Sequence, residues 1–169
     1  MSPEWRHLPE RVRELIKQFH DVAPVRLPDL ARALGVPVKA ATLAPGISGE
    51  VRPDGNGGFI ARINRHDPKK RQRFSVAHEL AHVLLHADQI GEGITDDVLY
   101  RSTLSNRVEA EANRLAADIL MPDDLVLEYL EIAEERGGAG LIIYLAEAFS
   151  VSEAAMKIKL DQLGVAVDA

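Results

Sequence analysis

The chain has 169 residues, 46% of them hydrophobic and 27% charged, with a net charge of −6, which allows one sizeable core with a small appendage and excludes a second large domain. It contains no cysteine, so disulfides and thiolate metal ligands are excluded and any metal must be held by histidines and carboxylates. The acidic balance argues against broad nonspecific nucleic-acid binding. No apolar run reaches the ~18 residues of a membrane span, and the first ten residues, with Glu4, Trp5, Arg6 and Glu10, lack the apolar centre of a secretory signal, so a cytoplasmic protein is expected.

Val12, Leu15, Ile16 and Phe19 recur at helical spacing after Pro9, and a second short helix fits residues 28–34 before Gly35. Residues 38–43, 47–52 and 59–64 read as short strands. Between the last two, Asp54-Gly55-Asn56-Gly57-Gly58 supplies the left-handed backbone positions of a hairpin turn, which predicts a partly antiparallel sheet. The strand at 59–64 is either an ordinary core strand or an edge against which an extended peptide could pair. Asp67-Pro68 predicts the next helix start, with Asp as N-cap and Pro at the first helical position, and the helix runs to about His86. Its apolar residues Phe74, Ala77, Ala81 and Leu84 seat one face on the core and leave Ser75, His78 and His82 on a neighbouring face. Arg62, Arg65, Lys69, Lys70, Arg71 and Arg73 make a local basic stretch, read equally as a solvated helix start or a partner-docking patch.

The central feature is His78-Glu79-Leu80-Ala81-His82. On a helix the two histidines stand about 6 Å apart along the axis and about 40° apart around it, so both rings can converge on one ion. A carboxylate beside them makes half of a zinc site that activates water, as in metallopeptidases. His86 extends the series, but at about 12 Å from His78 along a straight helix it cannot share the ion, and it is read as a structural residue near the helix end. The third ligand is therefore sought in Glu109-Ala110-Glu111-Ala112-Asn113, which opens a helix with the apolar stripe Ala112, Leu115, Ala116 and Ile119, closed by Met121-Pro122. Glu109 and Glu111 are about 200° apart around that helix, so at most one faces the metal. Glu109 is favoured, with Glu111 as the alternative, because Asn113 one turn later offers an amide that could orient a ligand.

Residues 87–106 are long for a plain connection and read as either a cleft rim or a surface loop. Tyr100 and His86 are candidate oxyanion donors, neither assigned. Beyond them, helices are predicted at 125–135 before Gly137-Gly138, at 141–149, and at 152–163 after Ser150-Val151-Ser152. The last pair is similar to a helix-turn-helix. Its final helix carries only Lys157 and Lys159 as cations, beside Glu153 and Asp161, so helix packing is preferred to direct DNA binding.

The blocks Arg73-Phe74-Ser75-Val76-Ala77-His78-Glu79-Leu80-Ala81-His82-Val83-Leu84-Leu85-His86 and Glu109-Ala110-Glu111-Ala112-Asn113-Arg114-Leu115-Ala116-Ala117-Asp118-Ile119-Leu120-Met121-Pro122 resemble the ImmA/IrrE family of metallo-endopeptidases. The likeness reaches back through the strand at 59–64 and forward to Ser152; only the first ~25 residues say little. The resemblance implies Zn2+ held by His78, His82 and Glu109, with Glu79 catalytic, which agrees with the geometric preference for Glu109. A fourth coordination position would take water, whose proton Glu79 accepts and later returns to the leaving amine.

The fold expected is α+β. A small, partly antiparallel sheet packs on the HExxH helix in a zincin-like core at 1–122, followed by a helical, helix-turn-helix-like part at 123–169. The family implies cleavage of one regulatory protein, such as a transcriptional repressor or an antitoxin, to control genes of a mobile element or a stress response. The alternative is a non-proteolytic, toxin-like or partner-binding module of a toxin and antitoxin pair. The intact Glu79 favours chemistry, since metal binding alone needs no carboxylate there.

Overall fold

A computed structural model of the chain describes residues 1–97, 106–135 and 140–166. Three short helices, α1 (Pro3–His7), α2 (Glu10–Lys17) and α3 (Leu27–Ala33), precede the strands β1 (Val38–Ala41), β2 (Ile47–Pro53) and β3 (Phe59–Asn64). The long helix α4 (Lys69–His86) leads through a short 3-10 turn to β4 (Ile94–Asp97). Four more helices complete the fold: α5 (Asn106–Leu120), α6 (Asp123–Glu135), α7 (Leu141–Phe149) and α8 (Glu153–Gln162). This is the expected α+β architecture with the sheet on the HExxH helix. No helix among the described residues is long and apolar enough to cross a membrane.

The sheet order is β1-β3-β2-β4, with β1 parallel to β3 and both other pairings antiparallel. The hairpin between β2 and β3 forms as its glycines dictate. Gly55 and Gly57 both take φ of 85°, which an L side chain resists, and the Asp54 carboxylate accepts the N–H of Asn56 at 2.7 Å and of Gly58 at 3.0 Å. Flanked on both sides, β3 is the ordinary core strand of the two readings and not a free edge. The sheet ends at β1 and β4 instead.

Helix α4 differs from its expected amphipathic form. Ser75, His78, Glu79, His82 and His86 are all buried, whereas Phe74 and Leu84 are only partly so. The reason is tertiary: β2 and β3 cover one side of α4 and α5 the other, so the helix has no solvated stripe along its middle. Leu80 packs with Ala31, Val36 and Ala61 toward α3 and the sheet, while Ala77 and Ala81 join the large cluster around α5. The helix also begins a residue later than expected, with Pro68 at the N-cap and no side-chain cap. Asn64 organises the entry in place of Asp67: its side chain accepts from His66 N–H at 3.1 Å and donates to the Ile47 carbonyl at 2.9 Å. The Gln72 amide then donates to the Asp67 carbonyl at 2.8 Å.

The basic stretch is largely engaged within the fold. Arg62 pairs with Glu50 across the sheet at 2.5 Å, Lys70 with Glu147 at 2.5 Å, and Arg73 donates to the Val25 carbonyl at 2.9 Å.

On α5 the expected stripe of Ala112, Leu115, Ala116 and Ile119 is buried, and the same cluster takes in Trp5 from α1, Val126 from α6, Leu145 and Phe149 from α7, and Met156 and Leu160 from α8. Segments 1–122 and 123–169 thus contribute to one core. Ser152 caps α8 by accepting from Ala155 N–H at 3.1 Å. Lys159, one of the two cations expected on this helix, points inward: it is 3% exposed and paired with Asp118 at 3.2 Å and Asp123 at 2.5 Å. The Gly137-Gly138 turn lies outside the described residues.

His20 stacks on Trp5 with ring centroids 5.6 Å apart, and its Nε2 lies 3.1 Å from the Ile119 carbonyl. Burial pushes its imidazole down from 6.5 to about 4, although the Ile119 carbonyl and Asp118 oppose the shift. The unfolded chain therefore takes up this proton first as pH falls. The stabilising contribution is complete above 6.5 and is lost by about 4, roughly 3 kcal/mol. Urea unfolding of the metal-free protein at pH 7 and 4.5 checks this: His20→Gln is expected to lose that part of the acid sensitivity, and an unchanged difference between the two pH values would refute the assignment.

Candidate metal centre

His78 and His82 lie one turn apart on α4 and are 2% and 0% exposed, while Glu109 reaches across from the first turns of α5 with 18% exposure. His78 Nε2 is 3.1 Å from His82 Nε2 and 3.1 Å from Glu109 Oε2, and His82 Nε2 is 3.3 Å from Glu109 Oε1. Donors on one tetrahedral ion with bonds of about 2.0–2.2 Å stand about 3.3–3.6 Å apart. The triangle is therefore the right size to close on a single metal ion with little movement, and this trio is the one metal-binding group of its kind among the described residues.

Protonation suits the same use. Partial burial pushes the Glu109 carboxyl up, but the His78 and His82 rings that face it outweigh this and hold the group well below the usual carboxylate range. Burial pushes His82 down, only partly offset by the Glu109 carboxylate beside it. Both shifts favour the ligand-competent forms, an ionised carboxylate and a neutral imidazole.

Glu79 is fully buried and turns toward β2, where it lies against Gly49. A Cβ on Gly49 would fall 2.9 Å from Glu79 Oε1 and 3.4 Å from Glu79 Cγ. Gly49 is thus needed for close approach, not for backbone torsion. Sequence reasoning passed over it, although a glycine inside a predicted strand is the signal for such a site. Because the clashing atoms end a flexible side chain, Gly49→Ala is expected to change stability little and to displace the carboxylate. Activity is expected to fall by about 10²-fold, the cost of misplacing a reacting group by about 1 Å. Metal content measured alongside should match the parent; full activity in the alanine variant would show that Glu79 has room to spare.

The other residues singled out from the sequence fall as follows. Glu111 does not face the metal position: its Oε2 is 3.1 Å from His86 Nε2 and its Oε1 accepts from Arg107 Nε at 2.7 Å. His86 is buried behind His82, with the two Nδ1 atoms 3.0 Å apart. It lies at the end of α4, as expected, and also in contact with His82. Asn113 is exposed on the wall of the adjoining cleft and makes no hydrogen bond to Glu109 or the histidines among the described residues. Tyr100 lies outside the described residues. The cleft, of about 740 Å³, reaches the centre at His78 and Glu109 and is walled on its apolar side by Phe74, Met121 and Val151.

Residues 31–161 match the family described as the IrrE N-terminal-like domain, a peptidase family. The chain belongs to this family. The match runs from α3 through α8 and so contains every residue of the centre. A curated relative, the radiation response metalloprotease IrrE of Deinococcus radiodurans, is 35% identical over 72 residues, which make up 43% of this chain and 22% of that protein. A solved structure of a Mycobacterium tuberculosis transcriptional regulator has a TM-score of 0.57 at 19% identity, covering 93% of this chain and 48% of the other. That likeness speaks for the fold alone, and the chain spans less than half the length of either protein. The family and the curated relative together make this a metallopeptidase-type domain, with a His-His-Glu site able to bind a metal.

Proposed function

We propose that the protein is a zinc-dependent endopeptidase acting in the cytoplasm on a specific regulatory protein, such as a helix-turn-helix repressor. The observation that carries the reading is the His78–His82–Glu109 triangle with Glu79 beside it on α4, adjoining a cleft of about 740 Å³. Zinc suits two imidazoles and a carboxylate without thiolates. When bound it supplies Lewis acidity toward water and toward the scissile carbonyl.

The chain's own residues do the rest. His78 and His82 fix the donor geometry from one rigid helix, and ionised Glu109 completes it from the next. Glu79, held against Gly49, takes the proton from the attacking water and passes it to the leaving amine. Phe74, Met121 and Val151 offer an apolar wall that desolvates a substrate side chain next to the reacting bond. The radiation response for which the curated relative is named supports a role in controlling stress genes.

The test is incubation of the zinc-loaded protein, and of its Glu79→Gln variant, with repressors encoded nearby, followed by mass spectrometry of the products. A discrete cut by the parent and none by the variant is expected. If the variant kept its zinc and still relieved repression in cells, the protein would act by binding, as a toxin-like or partner-binding module does.

A further inference from the structure

We infer that His86 and Glu111 are positioning residues that set the tautomer of the metal ligand His82. The inference rests on the proposed metal centre. Four side chains form a line leading away from the metal position: His82 Nδ1 is 3.0 Å from His86 Nδ1, His86 Nε2 is 3.1 Å from Glu111 Oε2, and Glu111 Oε1 is 2.7 Å from Arg107 Nε. Both rings are buried, so water does not substitute for these partners.

The direction of the hydrogen bonds follows from the far end. An ionised carboxylate only accepts, so the His86 nitrogen facing Glu111 must carry a hydrogen. In neutral His86 the other nitrogen, Nδ1, is then an acceptor. The His82 Nδ1 that faces it must therefore donate, which leaves His82 Nε2 as an acceptor, served by His78 Nε2–H at 3.1 Å while no ion is bound and free to take the metal when one is. The opposite tautomer of His82 would set His86 Nε2, as an acceptor, against the Glu111 carboxylate. Glu111 thus selects the metal-binding form of His82 through an intervening ring, and Arg107 orients Glu111 from the solvent side.

The same helix grips His82 from both directions. Glu109 of α5 meets its Nε2, and Glu111, two residues on, meets its Nδ1 through His86. His78 has no equivalent: its buried Nδ1 has no hydrogen-bond partner among the described residues. Groups that orient a metal-bound imidazole in this way are typically worth about 10–100-fold in metal affinity.

The test measures zinc affinity by chelator competition and reads the His82 tautomer in the zinc-free protein by long-range proton–nitrogen NMR. Expected results are an Nδ1–H tautomer for His82 in the parent, affinity weakened by about 10–100-fold in His86→Leu and Glu111→Ala, and a mixed tautomer in Glu111→Ala. His86→Gln, whose amide keeps an acceptor and a donor, is expected to stay within a few-fold of the parent, about a single hydrogen bond's worth. Parent-like affinity in both His86→Leu and Glu111→Ala, or an Nε2–H tautomer in the parent, would overturn the inference. Should His86→Leu not fold, Glu111→Ala carries the affinity test, since its side chain reaches the surface. A parent without zinc affinity would strike the proposed function instead, and the zinc-free tautomer spectrum would still decide the relay.

Discussion

Substitution of Glu79 by glutamine is expected to lower peptide hydrolysis by about 10³-fold while the protein keeps its zinc, because the lost function is proton transfer and not metal binding. The amide has nearly the shape of the carboxylate, so the contact with Gly49 and the fit of α4 under β2 are preserved. It cannot accept the proton from water at neutral pH. Single-turnover cleavage followed by mass spectrometry gives the rate, and elemental analysis of the purified variant gives the metal. Residual activity within about 10-fold of the parent would mean that another group serves as the base. Loss of zinc would instead place Glu79 among the ligands.

The second large effect is expected at Glu109. Its replacement by alanine removes one of three protein donors, and sharing a site free energy of about 10–16 kcal/mol among the ligands puts the loss on the order of 10²–10³-fold in zinc affinity or more. Glu111→Ala serves as the internal comparison, because the two carboxylates sit on the same helix and differ in what they face: Glu109 the two motif histidines, Glu111 His86 and Arg107. A calorimetric or chelator titration separates them. Glu111→Ala is itself expected to lose about 10–100-fold through His86, so the ranking is the readout, and a larger loss at Glu111 than at Glu109 would reverse their roles.

What the sequence made legible was whatever depends on spacing along one element. Two histidines four apart on a helix must share a face, so half of the centre could be read from α4 alone. The rotation between neighbouring positions on α5 showed that only one of Glu109 and Glu111 could face the histidines, whereas the preference for Glu109 rested on Asn113, which touches neither Glu109 nor the histidines among the described residues, and on the family resemblance. The hairpin at 54–58 was legible because glycine and aspartate act locally through torsion and short hydrogen bonds.

What stayed hidden depends on which elements meet. The polar residues of α4 are buried because a sheet and a helix both cover it, and hydrophobic periodicity carries no trace of a second cover. The central place of β3 follows from strand order, which no strand encodes by itself. His86 was set aside on sound grounds as a ligand, but its use became visible only once α5 brought Glu111 to its far nitrogen. Lys159 looked like a surface cation for the same reason: its partners, Asp118 and Asp123, lie more than thirty residues away.

Helix α5 is tied down near both ends of the chain. Arg114 reaches Glu4 in α1 at 2.6 Å, and Asp118 takes Lys159 of α8 at 3.2 Å. Glu109 belongs to the opening turns of α5, ahead of both ties. The histidines ride on a helix covered from both sides, whereas their carboxylate partner sits in the first turn of α5, held to α4 by its own contacts to His78 and His82 and by the Glu111–His86 pair two residues on. Amide exchange should accordingly be faster around Glu109, in a first helical turn, than around the mid-helix His78 and His82, and bound metal should slow it most there, so that the ion fastens the start of one helix to the middle of the other.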